Sequence, residues 1–362
     1  MASAESRLQR FSSWCRAKPQ RPSGFSLKEK PPCTTLEMPH TNWRTALRLV
    51  FCGTPQFAVP TLEALVAAGH EIALVVSQPD RPAGRDQHLT APPVKQAAIA
   101  AGLAVTQPEK IRNNTEFRAQ LEAAKPDAIV VVAYGRIIPP WMLALPRLGC
   151  INLHSSLLPK YRGAAPIQWA VANGDAFTGN TTMLLEEGLD TGPILLQETV
   201  EIGREQTAAE LFPVLAAKGA PLVVETLAGQ ANGSIHPQPQ NPEGATYAPL
   251  LDRADGRMDF AARSATELYN RWRGFQPWPG AFAFLNGKKL IVHRMALARA
   301  SEAAGLGLAE PGSILERDGR MLAACAGGTW IEFHEVQLEG KKRMTAQEFL
   351  RGNPLAADAR LG

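Results

Sequence analysis

Cysteine is scarce in this sequence, and the few cysteines stand far apart. The 362 residues include five cysteines, none of them in the C-x-x-C spacing typical of zinc sites and redox centres. The pattern also argues against a disulfide framework and predicts a reducing compartment. Cys150, which directly precedes an apolar segment, is therefore expected to be a small buried side chain rather than a nucleophile.

Long apolar runs and a strong charge of one sign are also missing. No apolar run approaches the roughly twenty residues that a membrane-spanning helix needs, so no membrane partner is expected. The net charge is +4, but residues 1–46 hold eight Lys or Arg and three Asp or Glu, which leaves 30 minus 31, about −1, for the remainder. Nucleic-acid binding would therefore depend on local basic clusters. The candidates are Arg271 with Arg273, Lys288 with Lys289, and Lys341 to Arg343.

Regular apolar periodicity is missing from residues 1–46, which are rich in Ser, Pro and basic residues. This composition predicts a disordered basic tail. The segment from Arg7 to Arg21 is Arg- and Ser-rich like a mitochondrial transit peptide, but three glutamates in the tail count against that interpretation. Met38 offers a second start of translation. We expect a bacterial cytoplasmic location, with the mitochondrial matrix as the minority alternative.

From Leu47 onward, apolar strands alternate with helical patterns. The predicted strands are LRLVF, IALVVS, AIVVVA and CINLH, and the predicted helices are PTLEALVAAG, PPVKQAAIAAG and APIQWAVAN. This alternation predicts an α/β domain with a mainly parallel sheet over residues 47–230. Gly53 stands where a dinucleotide fold has its glycine fingerprint, but G-x-G-x-x-G is absent, so no nicotinamide cofactor is expected.

The remaining third of the chain has a different pattern. Residues 231–250 are rich in Pro, Gly and Asn and predict an interdomain linker. Beyond them, the short runs AFAFL, KLIVHRM, GSILER and TWIEFHEVQL predict a small β-barrel domain over residues 251–362. Trp272, Trp278 and Phe282 are expected to pack in its core rather than stack on nucleic-acid bases.

The richest motif is INLHSSLLPKYRG, from Ile151 to Gly163. Side chains alternate along a strand, so Asn152 and His154 lie on one face while Ile151 and Leu153 point into the core. A hydrogen-bond donor beside an imidazole can stabilise the oxyanion that develops in acyl transfer. Taken alone, the motif fits equally a pair of polar residues that cap a turn.

A second motif, Glu187–Gly192, follows the predicted strand TTMLLEE and holds an acid between two glycines. Glycines permit tight turns, so Asp190 can stand at a rigid loop tip within reach of a histidine. A carboxylate beside an imidazole fixes its tautomer and favours its protonated form. Taken alone, the sequence D-T-G also fits an Asx turn.

Six segments, in order from Leu47 almost to the end of the chain, resemble methionyl-tRNA formyltransferases. They are LRLVFCGTPQFAVPTLEAL, VSQPDRPAGRDQHLTAPPVK, VVVAYGRIIP, INLHSSLLPKYRGAAPIQWA, EEGLDTGPIL and GFQPWPGAF. The resemblance implies a Rossmann-like formyltransferase domain followed by an OB-like β-barrel domain that binds tRNA. The Asn, His and Asp of this superfamily also occur in formyltransferases that act on purine precursors or nucleotide sugars and in a formylfolate hydrolase. They indicate the reaction rather than the acceptor.

The resemblance also implies the roles of particular residues. Asn152 and protonated His154 would donate to the oxyanion, and Asp190 would orient His154 and help to move the proton. The co-substrate would be 10-formyltetrahydrofolate, and the acceptor would be the α-amino group of methionine on initiator tRNA. No metal is required. The folate would bind against the segment Ser156, Leu157, Leu158 and Pro159.

The expectation that the acceptor is a tRNA rests mainly on the loop Gln78–Pro93. Its prolines and glycines interrupt any regular element, and Arg81 and Arg85 make it too polar to pack inside. By composition alone it is a solvated connection. In the family, the arginine that Arg85 matches contacts tRNA, so Arg85 and Arg81 are the candidate tRNA-binding residues. We expect a monomer.

Two other functions stay open. The chain could be another formyltetrahydrofolate-dependent N-formyltransferase or hydrolase, or it could be a noncatalytic tRNA-binding protein with the same architecture. The RPAGR loop argues against the first alternative, and the intact Asn152, His154 and Asp190 argue against the second. The sequence departs from the family pattern at Asn180, where an apolar residue is expected.

Overall fold

The computed structural model describes residues 46–83, 88–299, 306 and 309–362. Two compact units are present: one extends to Asn152 and includes Val223–His236, and the other comprises Leu153–Leu222 and Pro237–Gly362. Residues 1–45 of the predicted tail lie outside the described residues. The domain boundaries at 47–230, 231–250 and 251–362 stay predictions.

The first nine strands form a seven-stranded sheet and a separate hairpin. They are β1 (Arg48–Gly53), β2 (Glu71–Val76), β3 (Arg81–Ala83), β4 (His88–Thr90), β5 (Val105–Thr106), β6 (Ala128–Val132), β7 (Cys150–His154), β8 (Phe177–Leu184) and β9 (Ile194–Glu201). The order in the large sheet is β5-β2-β1-β6-β7-β8-β9. β1 pairs in parallel with β2 and β6, and β2 pairs in parallel with β5, whereas β8 and β9 are antiparallel. The predicted α/β class with a mainly parallel sheet is confirmed.

Six helices accompany these strands. They are α1 (Val59–Ala67), α2 (Pro93–Ala100), α3 (Thr115–Ala124), α4 (Pro140–Leu143), α5 (Pro166–Ala172) and α6 (Ala208–Asn232). Proline opens α2, α4 and α5, where its fixed φ suits the first helical turn and its missing N–H leaves no bond unmade. Asn114 caps α3 by accepting the Phe117 N–H at 2.9 Å. The sequence pattern predicted α1, α2 and α5 but not α3, α4, α6 or β9.

The central parallel strands are apolar throughout because both faces of the sheet are covered. Every residue of β6 is buried, and so are five of the six residues of β1. Gly53 ends β1 in a tightly packed position, where a Cβ atom would come within 2.8 Å of the Phe51 ring and 2.9 Å of Ala58 Cβ. Gly53 is therefore explained by close packing.

Helix α6 corrects one expectation from the sequence. Its 25 residues, with a mean hydropathy of 1.5 over the most apolar window, are long and apolar enough to cross a membrane by length and composition. The expectation that no apolar run approaches the length of a membrane-spanning helix was therefore wrong. Half of this apolar stretch is buried inside the protein, and helices in a protein core can have the same length and composition.

In its described residues, the last part of the chain forms an antiparallel sheet with two α-helices. Its elements are α7 (Ala265–Gly274), β10 (Phe282–Leu285), β11 (Lys288–Leu297), β12 (Ile314–Arg317), β13 (Arg320–Cys325), β14 (Thr329–Leu338), β15 (Met344–Thr345) and α8 (Ala346–Gly352). The strand order is β10-β11-β14-β13-β12, and β15 pairs with β14. Trp272 packs against the core of this sheet, and Trp278 packs against a smaller cluster around Phe275. The prediction of a small barrel-like β domain is confirmed.

Arg273, which the sequence placed in a basic cluster for nucleic acid, is buried at the end of α7. Its side chain is 4% exposed, and its guanidinium donates to the carbonyls of Gly203 (3.1 Å) and Gln206 (2.8 Å) and to Asn270 Oδ1 (2.6 Å). Burial lowers the pKa of Arg273. Its neighbour Arg271 lies over the rings of Trp169 and Phe275. These contacts give Arg273 an internal structural role.

Replacing Arg273 with alanine is expected to lower the free energy of unfolding by about 3 kcal/mol, because two carbonyls and one amide oxygen lose a charged donor inside the protein. Urea unfolding of the wild type and Arg273→Ala measures this change. The exposed Arg253, changed to alanine, is the matched control and should stay within about 0.5 kcal/mol of the wild type. An equal effect of the two substitutions would contradict the assignment.

Candidate active site

Strand β7 carries the predicted catalytic motif, and all five of its residues are buried. Asn152 is 9% exposed and His154 is 6% exposed, although the sequence predicted only Ile151 and Leu153 in the core. Alternation along the strand keeps Asn152 and His154 on one face. Polar groups in such surroundings interact more strongly than in water, and each is costly to leave without a partner.

His154 makes two polar contacts through different ring nitrogens. Nε2 lies 2.9 Å from the carbonyl oxygen of Tyr161, and Nδ1 lies 3.8 Å from Asp190 Oδ2. A carbonyl can only accept a hydrogen bond, so the contact with Tyr161 assigns a proton to Nε2. Nδ1 is then the ring nitrogen that can gain or lose a proton, and it is the one that faces the carboxylate.

Asp190 lies in the loop between β8 and β9 with a left-handed backbone, at φ +50°. Its Oδ2 accepts the Gly163 N–H at 2.8 Å, which fixes the carboxylate independently of His154. The 3.8 Å distance to His154 Nδ1 is too long for a hydrogen bond but short enough for the carboxylate to attract the imidazole whenever that ring is protonated. The structure brings the predicted histidine and aspartate together, and their roles stay predictions.

Tyr161 holds its carbonyl toward His154 from an unusual backbone conformation, at φ +62°. Its hydroxyl donates to Asp175 Oδ2 at 2.9 Å and accepts from Asn173 Nδ2 at 3.1 Å. Burial raises the pKa of Tyr161 to about 12, so the hydroxyl stays protonated at neutral pH. The side chain therefore anchors a strained main-chain position whose carbonyl accepts from His154.

The predicted folate segment is a turn with an internal hydrogen-bond network. Ser156 Oγ donates to the Lys160 carbonyl at 2.6 Å, and Thr181 Oγ1 donates to the Ser156 carbonyl at 2.6 Å. The Leu158 N–H donates to Thr181 Oγ1 at 3.1 Å. Ser156 and Leu158 are buried, so their side chains serve the turn itself. The side chains left partly open are those of Leu157 and Pro159.

A second cluster of polar side chains lies where β1, β2 and β6 end. Thr54 Oγ1 donates to the Tyr134 carbonyl at 3.1 Å, and Gln78 Nε2 donates to the same carbonyl at 3.2 Å. Arg136 Nε donates to Gln78 Oε1 at 3.1 Å. Ligands of open parallel sheets bind at this edge. These residues were not predicted from the sequence as site residues, although each comes shortly after an apolar strand.

The predicted tRNA loop contains a short hairpin, in which β3 pairs antiparallel with β4. The expectation that its prolines and glycines interrupt every regular element was therefore wrong. Arg81, at the start of β3, is 41% exposed and lies 3.1 Å from Glu109. Arg85 lies outside the described residues.

The three cysteines within the described residues are all buried, as expected for Cys150. Burial raises the pKa of Cys150 to about 12, so its thiol stays protonated and is a poor nucleophile. Among the residues that the structure describes, no group of three His, Cys, Asp or Glu side chains could hold a metal ion.

Two protein-family models match the chain over most of its length. The model described as formyl transferase matches residues 47–227, and the model described as formyl transferase, C-terminal domain, matches residues 250–354. His154 and Asp190 both lie in the part of the chain that matches the formyl transferase model.

Curated relatives define the class more narrowly. A methionyl-tRNA formyltransferase from Acidobacterium capsulatum is 65% identical over 316 residues, which cover 87% of this chain and 100% of the relative. The enzyme of the same name from Koribacter versatilis is 56% identical over 311 residues, covering 86% of this chain and 97% of the relative. The chain belongs to the methionyl-tRNA formyltransferase family.

Solved structures share the fold at low sequence identity. An N-formyltransferase from Helicobacter canadensis, in complex with folinic acid and dTDP-3-aminofucose, is 17% identical with a TM-score of 0.57, covering 79% of this chain and 98% of that one. HypX from Aquifex aeolicus, in complex with tetrahydrofolic acid, is 16% identical with a TM-score of 0.55, covering 84% of this chain. The match spans 47% of the HypX chain.

Proposed function

We propose that this chain transfers the formyl group of 10-formyltetrahydrofolate to the α-amino group of methionine on initiator tRNA. The observation that carries the proposal is the approach of Asp190, in the loop between β8 and β9, to the buried His154 at the end of β7, with Nδ1 and Oδ2 3.8 Å apart. Membership of the methionyl-tRNA formyltransferase family supports both the folate donor and the aminoacyl-tRNA acceptor.

The first step is attack of the neutral α-amino nitrogen on the formyl carbon. An α-amino group titrates at a pH of about 8, so a neutral fraction is available without a strong base. The new C–N bond leaves a negative charge on the formyl oxygen. Asn152 and protonated His154 donate to that oxygen, and donors held in a buried site need little reorganisation as the charge develops.

The second step moves a proton and breaks the bond between the formyl carbon and N10 of the folate. The attacking nitrogen loses one of its two protons, the oxyanion re-forms the carbonyl as N10 departs with the electron pair of the C–N10 bond, and N10 gains a proton, so charge and atoms balance. Because His154 Nε2 is bonded to the Tyr161 carbonyl, we assign the exchanging proton to Nδ1. Asp190 stabilises the imidazolium by its charge, while the 3.8 Å gap leaves Nδ1–H able to reach the substrate.

The folate donor binds against the turn from Ser156 to Pro159. The partly open side chains of Leu157 and Pro159 offer apolar contact area, and the turn itself is held by Thr181. A turn that is fixed before the ligand arrives loses little entropy on binding. The segment directly follows His154, which suits a donor whose formyl group must reach that side chain.

The test is formyl transfer from 10-formyltetrahydrofolate to methionyl-initiator tRNA, with methionyl-elongator tRNA, free methionine and no acceptor in parallel. Selective N-formylation of the initiator species supports the proposal. Folate turnover without an acceptor would indicate a hydrolase, and tRNA binding without turnover would leave a noncatalytic binding protein. Formylation of an amino sugar in preference to tRNA would indicate another N-formyltransferase.

Arg85 is proposed to bind the acceptor stem, with Arg81 in a lesser role because Arg81 already pairs with Glu109. Replacing Arg85 with alanine is expected to lower kcat/KM for methionyl-initiator tRNA about tenfold, because one charged contact to the nucleic acid is lost. The KM for the folate donor should not change. Steady-state kinetics at several salt concentrations measure the effect, and Arg81→Ala is the matched control with a smaller loss. Equal kcat/KM for wild type and Arg85→Ala would contradict the role.

The relatives are bacterial proteins, which supports a cytoplasmic location, with the mitochondrial matrix as the lesser alternative. We also propose that the protein is a monomer. Light scattering of the purified chain with and without tRNA would measure its mass, and a dimer would contradict this part of the proposal.

A further inference from the structure

The segment predicted as an interdomain linker is hydrogen-bonded to the active-site motif over part of its length. The Arg162 N–H donates to the Thr246 carbonyl at 2.8 Å, and the Ala248 N–H donates to the Arg162 carbonyl at 2.8 Å. The Tyr161 N–H donates to Thr246 Oγ1, also at 2.8 Å. A Cβ atom on Gly163 would lie 2.8 Å from the Ala248 carbonyl oxygen, so the two segments pack closely. Tyr161 and Gly163 are the residues that contact His154 and Asp190.

Gln240, in the same segment, uses its whole amide group. Its Nε2 donates to the carbonyls of Asp190 (2.8 Å) and Gly192 (2.7 Å). Its Oε1 accepts from Arg162 Nε (3.1 Å) and Nη2 (2.7 Å), and Arg162 itself is buried. Two donors and two lone pairs are all occupied, which leaves the amide one favourable orientation. Gln240 thus ties the backbone of the Asp190 loop to the side chain of Arg162.

The main chain of the loop that carries Asp190 has an unfavourable conformation, so it needs hydrogen bonds from outside the loop to hold it in place. Asp190 has a φ of +50°, which an L-residue adopts at a cost and keeps only when its surroundings fix it. The Gly163 N–H fixes the carboxylate, and Gln240 fixes the main chain on either side of Thr191. Together they determine where Oδ2 lies relative to His154 Nδ1.

We propose that Gln240 is a positioning residue for the reaction, which holds Asp190 at His154 through the loop carbonyls. The inference rests on the proposed function, because it gives Gln240 a role only through Asp190. Loss of the two donations lets the loop relax, and a displacement of about 1 Å at a reacting group can lower the rate up to about a hundredfold. The segment around residues 237–248 is then part of the active site and not a passive connection.

Two substitutions test this role in the full-length chain. Gln240→Ala removes the whole tie, whereas Gln240→Glu keeps an acceptor for Arg162 but loses both donations to the loop. We expect kcat for formyl transfer to fall about tenfold or more in both, with the KM values for folate and tRNA within about twofold of wild type. Tm of Gln240→Glu should stay near the wild-type value, because its contact with Arg162 remains.

Gln230→Ala is the matched control, since Gln230 also donates to a carbonyl, that of Ile235, at 3.2 Å. It should leave kcat unchanged. A wild-type kcat in Gln240→Glu overturns the inference, and so does a loss that appears in KM alone or that follows a fall in Tm. The proposed function is tested separately by the wild type, because an inactive wild type would contradict the reaction itself. An active wild type with an active Gln240→Glu variant would remove only the role of Gln240.

Discussion

Removal of either oxyanion donor, by Asn152→Ala or His154→Ala, is expected to lower kcat for formyl transfer on the order of a hundredfold or more. Both side chains lie on one face of β7 and are almost fully buried, so the groups they stabilise are poorly screened by water. The donors act on charge that develops only in the transition state. The KM for 10-formyltetrahydrofolate should therefore change little.

His70 provides the matched control for His154, because it is also buried and its Nδ1 accepts the Leu47 N–H at 3.3 Å. Burial lowers the pKa of His70, so this histidine is neutral at physiological pH. His70→Ala is expected to lower Tm while kcat per folded molecule stays within about twofold of wild type. An undiminished kcat in Asn152→Ala or His154→Ala would remove the donor assigned to that residue.

The parallel sheet could be predicted from the sequence because its central strands are covered on both faces. A run such as that of β6, in which every residue is buried, contains only apolar residues. Asn152 and His154 could be placed on one face by alternation alone. The contact of Asp190 with His154 was expected from the motif and the resemblance, but its geometry could not be predicted, because it depends on a positive φ and on a hydrogen bond from Gly163, 27 residues away in the chain.

Asn180 shows why a polar residue can occupy a position where the sequence pattern calls for an apolar one. The side chain is fully buried in β8, and its Nδ2 donates to the Leu215 carbonyl at 2.9 Å. A partner 35 residues away leaves no local signal in the sequence. The hydrogen bond offsets part of the cost of burying the amide, whose Oδ1 is buried without a hydrogen-bond partner.

The contacts of Gln240 and Arg273 could not be predicted from the sequence, for the same physical reason. The composition around Gln240 is that of a flexible connection, and a basic residue in the last turn of a helix is ordinarily solvated. Both side chains donate to backbone carbonyl oxygens, which lie at least 48 residues away for Gln240 and at least 67 for Arg273. Backbone acceptors carry no residue identity, so no sequence pattern records which of them a side chain will meet.

Replacing Asp190 with asparagine is expected to lower kcat on the order of a hundredfold while leaving the fold intact. Asparagine keeps an oxygen that can accept the Gly163 N–H, but it carries no charge. Two opposite charges 3.8 Å apart attract by about 4 kcal/mol at the effective dielectric constant of 20 that suits protein sites. The imidazolium of His154 loses that stabilisation in Asp190→Asn. Steady-state formyl transfer and Tm, measured on the same preparation, separate the two effects.

Asp259→Asn is the matched control for Asp190→Asn. Asp259 accepts the Ala262 N–H at 3.0 Å, so it is also a loop aspartate that holds a backbone donor, and its change to asparagine removes the same charge. That variant should keep the wild-type kcat. If Asp190→Asn is as active as Asp259→Asn, the carboxylate serves only to anchor the loop, and the proton must reach N10 without its charge. If Asp190→Asn alone is slow with an unchanged Tm, the charge beside Nδ1 is what the reaction requires.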